Sequence, residues 1–209
     1  MSMFRMQRIY GKDMGALPKG YTGSYRFFRD EVPFSQCHIN RWCMKPTEFI
    51  SMNDNETDRF ILRPKRRLMP FTWIVEDCRG QVCGLLKRKL LGKTSWIVRD
   101  AHSREIGRFR DRYNPRFRLF RIVDWFLGNR PDGYEIIADG KILARMEREN
   151  RPENPQQNIP KGIRGLFGRV LRGKDWVIRE EANVLCRIDY RLLLSGALLL
   201  ESISRDVSV

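Results

Sequence analysis

Trp73-Ile-Val-Glu-Asp-Cys-Arg-Gly-Gln-Val-Cys83 and Trp96-Ile-Val-Arg-Asp-Ala-His-Ser-Arg-Glu-Ile-Gly107 are two copies of one pattern. The pattern returns as Tyr134-Glu-Ile-Ile-Ala-Asp-Gly-Lys-Ile-Leu-Ala144 and as Trp176-Val-Ile-Arg-Glu-Glu-Ala-Asn-Val-Leu-Cys186. Each copy opens on an aromatic residue, continues with β-branched residues, passes an acidic turn and ends in a second apolar strand. Short strands repeated in this way predict an all-β sandwich or barrel. The alternation has period two: Phe71, Trp73 and Val75 share one face, and Thr72, Ile74 and Glu76 the other. Arg79-Gly80 and Asp139-Gly140 are hairpin turns, because such turns need the positive φ that glycine tolerates.

Outward from the repeats, Leu85–Trp96 resembles Leu166–Trp176: an apolar-basic strand, a Gly-Lys turn and a Trp strand. The two stretches suggest an internally duplicated sheet. Between them, Asn150–Pro160 is polar and proline-rich, which suits an exposed loop. Arg59–Arg63 is a plausible first strand, stopped by Pro64. Residues 1–58 show no sustained period, and Met52–Asp58 reads as a linker. The expected division is a partly ordered extension over 1–58 and a barrel domain over 59–209. The opening Met1–Lys12 reads as a disordered start, with a transit peptide the weaker alternative.

The chain closes on Ile188-Asp-Tyr-Arg-Leu-Leu-Leu-Ser-Gly-Ala-Leu-Leu-Leu-Glu-Ser-Ile203. At helical spacing its apolar residues cover nearly every direction, so a helix here must be buried all round. The apolar run falls well short of the roughly 20 residues that cross a bilayer, and Arg191 and Glu201 bracket it. A sheet curled around one buried helix satisfies both the repeat and this segment.

Taken together, the Trp-x-Val-x-Asp hairpins at Trp73 and Trp96, the Tyr134–Ala144 hairpin and the Trp176 segment leading into the leucine-rich terminus resemble the tubby C-terminal-like superfamily. The likeness is to its LURP-one-related and phospholipid scramblase-like branch, over residues 59–203. The resemblance implies a closed antiparallel barrel of about twelve strands around a central hydrophobic helix. It also implies binding of anionic phospholipid. The chain departs from the eukaryotic scramblases, since Glu201–Val209 is too poor in carboxylates for a calcium loop and Cys37 and Cys43 form no cysteine run. Calcium-activated scrambling is therefore not expected.

Charge directs the search for a partner. The chain holds 40 Lys+Arg against 25 Asp+Glu among 209 residues, a net +15. Residues 1–58 are nearly neutral, whereas residues 59–130 hold 19 Lys/Arg and 6 Asp/Glu. The basic surface therefore belongs to the repeats, and polyanions are the natural partners. Three clusters carry it: Arg63, Lys65, Arg66 and Arg67; Lys87, Arg88, Lys89 and Lys93; and Arg108, Arg110, Arg112, Arg116 and Arg118. Alternate residues of a strand share a face. The expected anion-binding residues are Lys87, Arg88, Lys89, Lys93, Arg108, Arg110 and Arg112. Headgroups of anionic membrane lipids, phosphoinositides among them, are the first expectation. Nucleic acid stacking on Tyr113, Phe117 and Phe120 is the second, and a protein-interaction scaffold the third.

Other chemistries find little footing. Five cysteines (37, 43, 78, 83 and 186) at irregular spacing argue against a disulfide framework and for a reducing compartment. A zinc site from Cys37, His38, Cys43, Cys78 and Cys83 fits no standard spacing. Lys161–Lys174 has the apolar spacing of an amphipathic membrane helix, but four glycines oppose it. Neither His38 nor His102 has a nucleophile elbow beside it, and no P-loop, GxGxxG or HExxH occurs. The expectation is a cytoplasmic, non-enzymatic protein at a membrane surface, with no cofactor, no metal and no transmembrane span.

Overall fold

The computed structural model describes residues 3–9, 19–40, 43–66, 71–89, 94–112, 133–150, 174–181 and 187–205. It contains twelve strands: β1 (Met3–Ile9), β2 (Gly23–Arg29), β3 (Val32–Ile39), β4 (Thr47–Ser51), β5 (Phe60–Pro64), β6 (Thr72–Asp77), β7 (Val82–Arg88), β8 (Thr94–Asp100), β9 (Glu105–Asp111), β10 (Gly133–Ala138), β11 (Lys141–Asn150) and β12 (Lys174–Glu180). One α-helix among the described residues, α1 (Tyr190–Arg205), follows. Every strand pairs antiparallel with its sequence neighbours, and β1 pairs with β12 to close the barrel. Closure leaves no edge strand with unpaired backbone groups.

The repeat is the hairpin unit of this barrel. Its leading aromatics, Trp73, Trp96, Tyr134 and Trp176, all point inward and are buried. Trp73 and Trp96 meet edge to face at 5.0 Å, and Tyr134 lies 5.7 Å from Trp176. The acidic turn has a local cause. Asp77 Oδ1 accepts from the backbone N–H of Arg79 and Gln81, and Asp100 Oδ1 accepts from that of Arg104. A carboxylate closing its own turn frees the chain to reverse there. Gly80 (φ +77°) and Gly140 (φ +74°) take the left-handed positions. Both edges of β12 are occupied, by β11 and β1; the second half of the fourth copy, residues 182–186, lies outside the described residues.

The expected boundary at residue 58 does not exist. Residues 1–58 supply β1 to β4, a third of the wall, and β1 is the strand that completes the ring. The stretch read as a linker is a tight connection from β4 to β5. Its 3-10 turn over Glu56–Asp58 is capped by Asn55, whose side chain accepts from the Thr57 N–H. The reason for the misreading lies in the pairing: the β2–β3 register shifts once, between Phe27 and Phe28, so that on β3 both Phe34 and Ser35 are buried and the period-two alternation is interrupted.

α1 fills the interior. Leu192, Leu193, Leu194, Ala197, Leu198, Leu199 and Leu200 are all buried against the inner faces of the strands. Two glycines let it in. A Cβ on Gly196 would intrude on the Phe109 ring, and one on Gly84 would meet the Arg99 carbonyl and Leu192. At the first turn of α1, the Tyr190 hydroxyl donates to the Thr57 carbonyl (2.7 Å) and pairs with Asp58 Oδ1 (2.9 Å). The Arg29 guanidinium lies over Phe4, Phe34 and Tyr190 at 5.3, 5.0 and 4.8 Å, closing that end. Near the other end the buried Glu201 carboxylate accepts from Trp176 Nε1 (2.7 Å) and Arg148 (2.9 Å). Removing a carboxylate from water demands such partners. No helix among the described residues is long and apolar enough to cross a membrane.

Candidate functional site: a basic rim on the barrel

The antiparallel order gives the barrel two unlike ends. The connections at residues 30–31, 52–59, 78–81, 101–104 and 139–140 all lie at one end, together with the start of α1. This is the turn end. The strand ends that flank residues 10–22, 40–46, 65–71, 89–93, 112–132 and 151–173 all lie at the other, the loop end, toward which α1 runs.

Charge is divided between them. Described residues in the connections of the turn end include Asp30, Glu31, Asp54, Glu56, Asp58, Asp139, Glu181 and Asp189, against Arg59, Arg79, Arg104 and Arg187. Described residues in the connections of the loop end include Lys19, Lys45, Lys65, Arg66, Lys89 and Arg112, with no carboxylate among them. A basic rim therefore faces away from an acidic base.

The densest part of the rim lies across β5, β6 and β7. The Lys65 N–H donates to the Thr72 carbonyl (2.8 Å), and the Arg88 N–H donates to the Phe71 carbonyl (2.7 Å). Thr72 also pairs in register with Lys87. Lys65, Thr72 and Lys87 thus form one row across three strands, so the two lysine backbones stand about 10 Å apart. Arg66 and Lys89 continue the row beyond the strand ends. Lys65, Arg66, Lys87 and Lys89 are all exposed, and none makes an ion pair with any described residue.

The expected residues divide on this geometry. Lys87 and Lys89 belong to the rim. Arg88 does not share their face: it has the inward parity of Leu86, is only half-exposed, and burial lowers its pKa from the ordinary guanidinium value. Arg108, Arg110 and Arg112 do share one outer face, as alternation requires, but each is paired with a carboxylate. Arg108 pairs with Glu105 and Arg112 with Glu147, while Arg110 reaches Glu135 on β10 at 2.5 Å. Glu147 also meets Arg179, which pairs further with Glu149, and Arg145 reaches Glu181 at 3.0 Å. The outer wall over β9 to β12 is a lattice of alternating charge, so these three arginines present little uncompensated charge to a ligand. Lys93 lies outside the described residues, as do Arg67, Arg116, Arg118, Tyr113, Phe117, Phe120 and residues 161–173.

The first basic cluster splits as well. Arg63 forms a two-pronged pair with Glu76 (2.5 and 2.8 Å), and that hydrogen-bonded guanidinium lowers the Glu76 pKa. Lys65 and Arg66, one and two residues past the strand, are left without such a partner. Sequence reasoning noticed them but did not place them beside Lys87; the signal was connectivity, since the end of β5 and the end of β7 must fall on the same side of an antiparallel sheet. The alternation puts Phe71 on one face with Trp73 and Val75, and it keeps that parity. It precedes β6 at the rim and is 42% exposed.

The cysteine set does not converge. Cys37 and Cys43 are buried in the interior, Cys78 is exposed in a turn at the opposite end, and His38 pairs with Ser24 at 2.5 Å. Among the described residues no group of three or more His, Cys, Asp or Glu side chains is placed to hold a metal ion. Comparison with family models, with curated proteins and with solved structures found no match to this chain.

Proposed function

We propose that this chain is a non-enzymatic binding module of tubby-like type, whose basic rim docks on anionic phospholipid, phosphoinositide headgroups included. One observation carries the reading: Lys65, Arg66, Lys87 and Lys89 meet at one rim without a described carboxylate partner, on a barrel whose opposite end is acid-rich. Cations near an anionic membrane surface contribute about 1 kcal/mol each, so four of them give roughly a thousandfold gain in partition. The acidic base is repelled by the same surface, which orients the barrel before contact. The closed barrel filled by a hydrophobic helix is the architecture that the tubby-like resemblance implies, and it supports that part of the reading. An interior filled by α1 favours a binding surface on the exterior. The seat of the protein would be the cytoplasmic side of a membrane, where anionic lipids concentrate.

The test is co-sedimentation at about physiological ionic strength, where screening already acts within about 8 Å. Neutral vesicles are compared with vesicles carrying phosphatidylserine or a phosphoinositide at matched charge, with RNA as competitor. Pelleting with anionic vesicles that survives RNA is the expected result. Pelleting that RNA abolishes would replace this reading with nucleic-acid binding, and no pelleting would leave a scaffold role.

A further inference from the structure

Phe71 stands out among the exposed apolar side chains. Val32, Met52 and Val82 lie at the turn end, Ile50 lies on the outer wall of β4, and Phe71 alone of the described exposed large apolar residues lies at the basic end. Phe71 lies at the loop end, at the basic rim, just before Thr72 of β6, with Lys65 next to this segment on the β5 side and Lys87 and Arg88 on the β7 side. Its parity is that of the core residues Trp73 and Val75, yet it precedes the strand and its ring is left partly in water. A partly exposed aromatic residue at a rim whose neighbouring strands end in lysine and arginine matches the two layers of a bilayer surface. The ammonium groups meet phosphates while their alkyl stems and the ring reach the acyl boundary below.

We infer that Phe71 is a membrane wedge and that the barrel docks end-on, loop end down, with its axis steep to the bilayer. The inference rests on the lipid-binding reading above and adds to it an orientation and an anchoring side chain. Charge alone would hold a protein at the headgroup surface; the ring adds a contribution that salt does not screen. It also explains why the wall over β9 to β12 is neutralised by ion pairs, since that wall would face water.

Tryptophan placed at each end tests the orientation. Phe71→Trp and Val82→Trp are mixed with vesicles of phosphatidylserine and phosphatidylcholine brominated high on the acyl chains, with the native protein as baseline. All five native tryptophans supply that baseline, and the three described ones, Trp73, Trp96 and Trp176, are buried. Phe71→Trp is expected to show quenching above the native protein, and Val82→Trp none. In parallel, Phe71→Ala is expected to weaken partition about fivefold with its salt dependence unchanged, since a ring already half-buried has only part of its transfer free energy left to gain. If the native protein binds anionic vesicles while Phe71→Ala binds equally well and Phe71→Trp is not quenched, the wedge is wrong and the lipid reading stands. Equal quenching of Val82→Trp would overturn the end-on orientation. Failure of the native protein to bind anionic vesicles would overturn both.

Discussion

Gly196 shows how one residue admits the helix. Two effects of opposite sign meet there. Alanine in a helix interior is favoured over glycine by about 1 kcal/mol. Against this, the added methyl would run into Phe109, which is fully buried and has nowhere to go. Overpacking of this kind costs about 1–3 kcal/mol, so the clash wins. Gly196→Ala is expected to lower the urea midpoint; a higher midpoint would mean that α1 is not held against β9. The buried thiols give a second residue-scale expectation. Burial pushes Cys43 up to about 11 and Cys37 well above its ordinary value. The unfolded chain gives up these protons near pH 8.5, while the folded chain keeps them. Their contribution to stability is therefore complete below about pH 8.5 and is lost as pH rises toward 11. Melting temperature should fall between pH 8 and pH 10, and fall less in Cys37→Ala/Cys43→Ala; parallel declines in the two proteins would remove the thiols as the cause. The steric role of Gly196 is not legible in the sequence, because only the closed barrel brings Phe109 and the helix together.

Among elements, β1 and α1 have opposite histories. The all-round apolar character of Leu192–Leu200 predicts a buried helix, and the interior of the barrel is where it lies. The Trp and Tyr hairpins were legible because period-two alternation and turn chemistry agree over β6 to β11. β1 was not. Met3–Ile9 alternates Phe4, Met6 and Arg8 inward, and an arginine at the inner rim hides the pattern. Arg8 is accommodated there by its guanidinium donating to the Thr22 carbonyl at 3.3 Å. A sequence window over residues 1–58 thus reads as neutral and irregular, although it closes the ring. Deleting residues 1–9 would strip the pairing partner from both β2 and β12 and create two unprotected edges. The truncated chain is expected to aggregate or to lose its cooperative melt, measured by light scattering and circular dichroism. A soluble, cooperatively folding truncation would show that the barrel domain begins later than β1.

At the scale of the whole molecule, the barrel is a charged dipole. Composition announced a basic protein and the sequence clusters located the charge in the repeats. What composition could not show is pairing across strands. Arg108, Arg110 and Arg112 lie as alternation predicts, but their carboxylate partners come from the start of β9 itself, from β10 and from β11, positions distant in sequence except for Glu105. The cations left over are those at strand ends, where Lys65, Arg66, Lys87 and Lys89 meet. Position on the barrel, rather than net charge, is therefore what the account holds responsible for binding. The measurement that tests this most directly compares two variants of equal charge change on phosphatidylserine vesicles: Lys65→Glu/Lys87→Glu/Lys89→Glu at the rim and Arg59→Glu/Arg79→Glu/Lys141→Glu at the turn end. All six residues are exposed, so both proteins should remain folded. The account predicts that the rim variant loses vesicle binding by at least about a hundredfold, at roughly 1 kcal/mol for each cation lost, while the turn-end variant binds within a few fold of the native protein. Equal losses in the two variants would show that net charge alone governs association, and would contradict a binding rim.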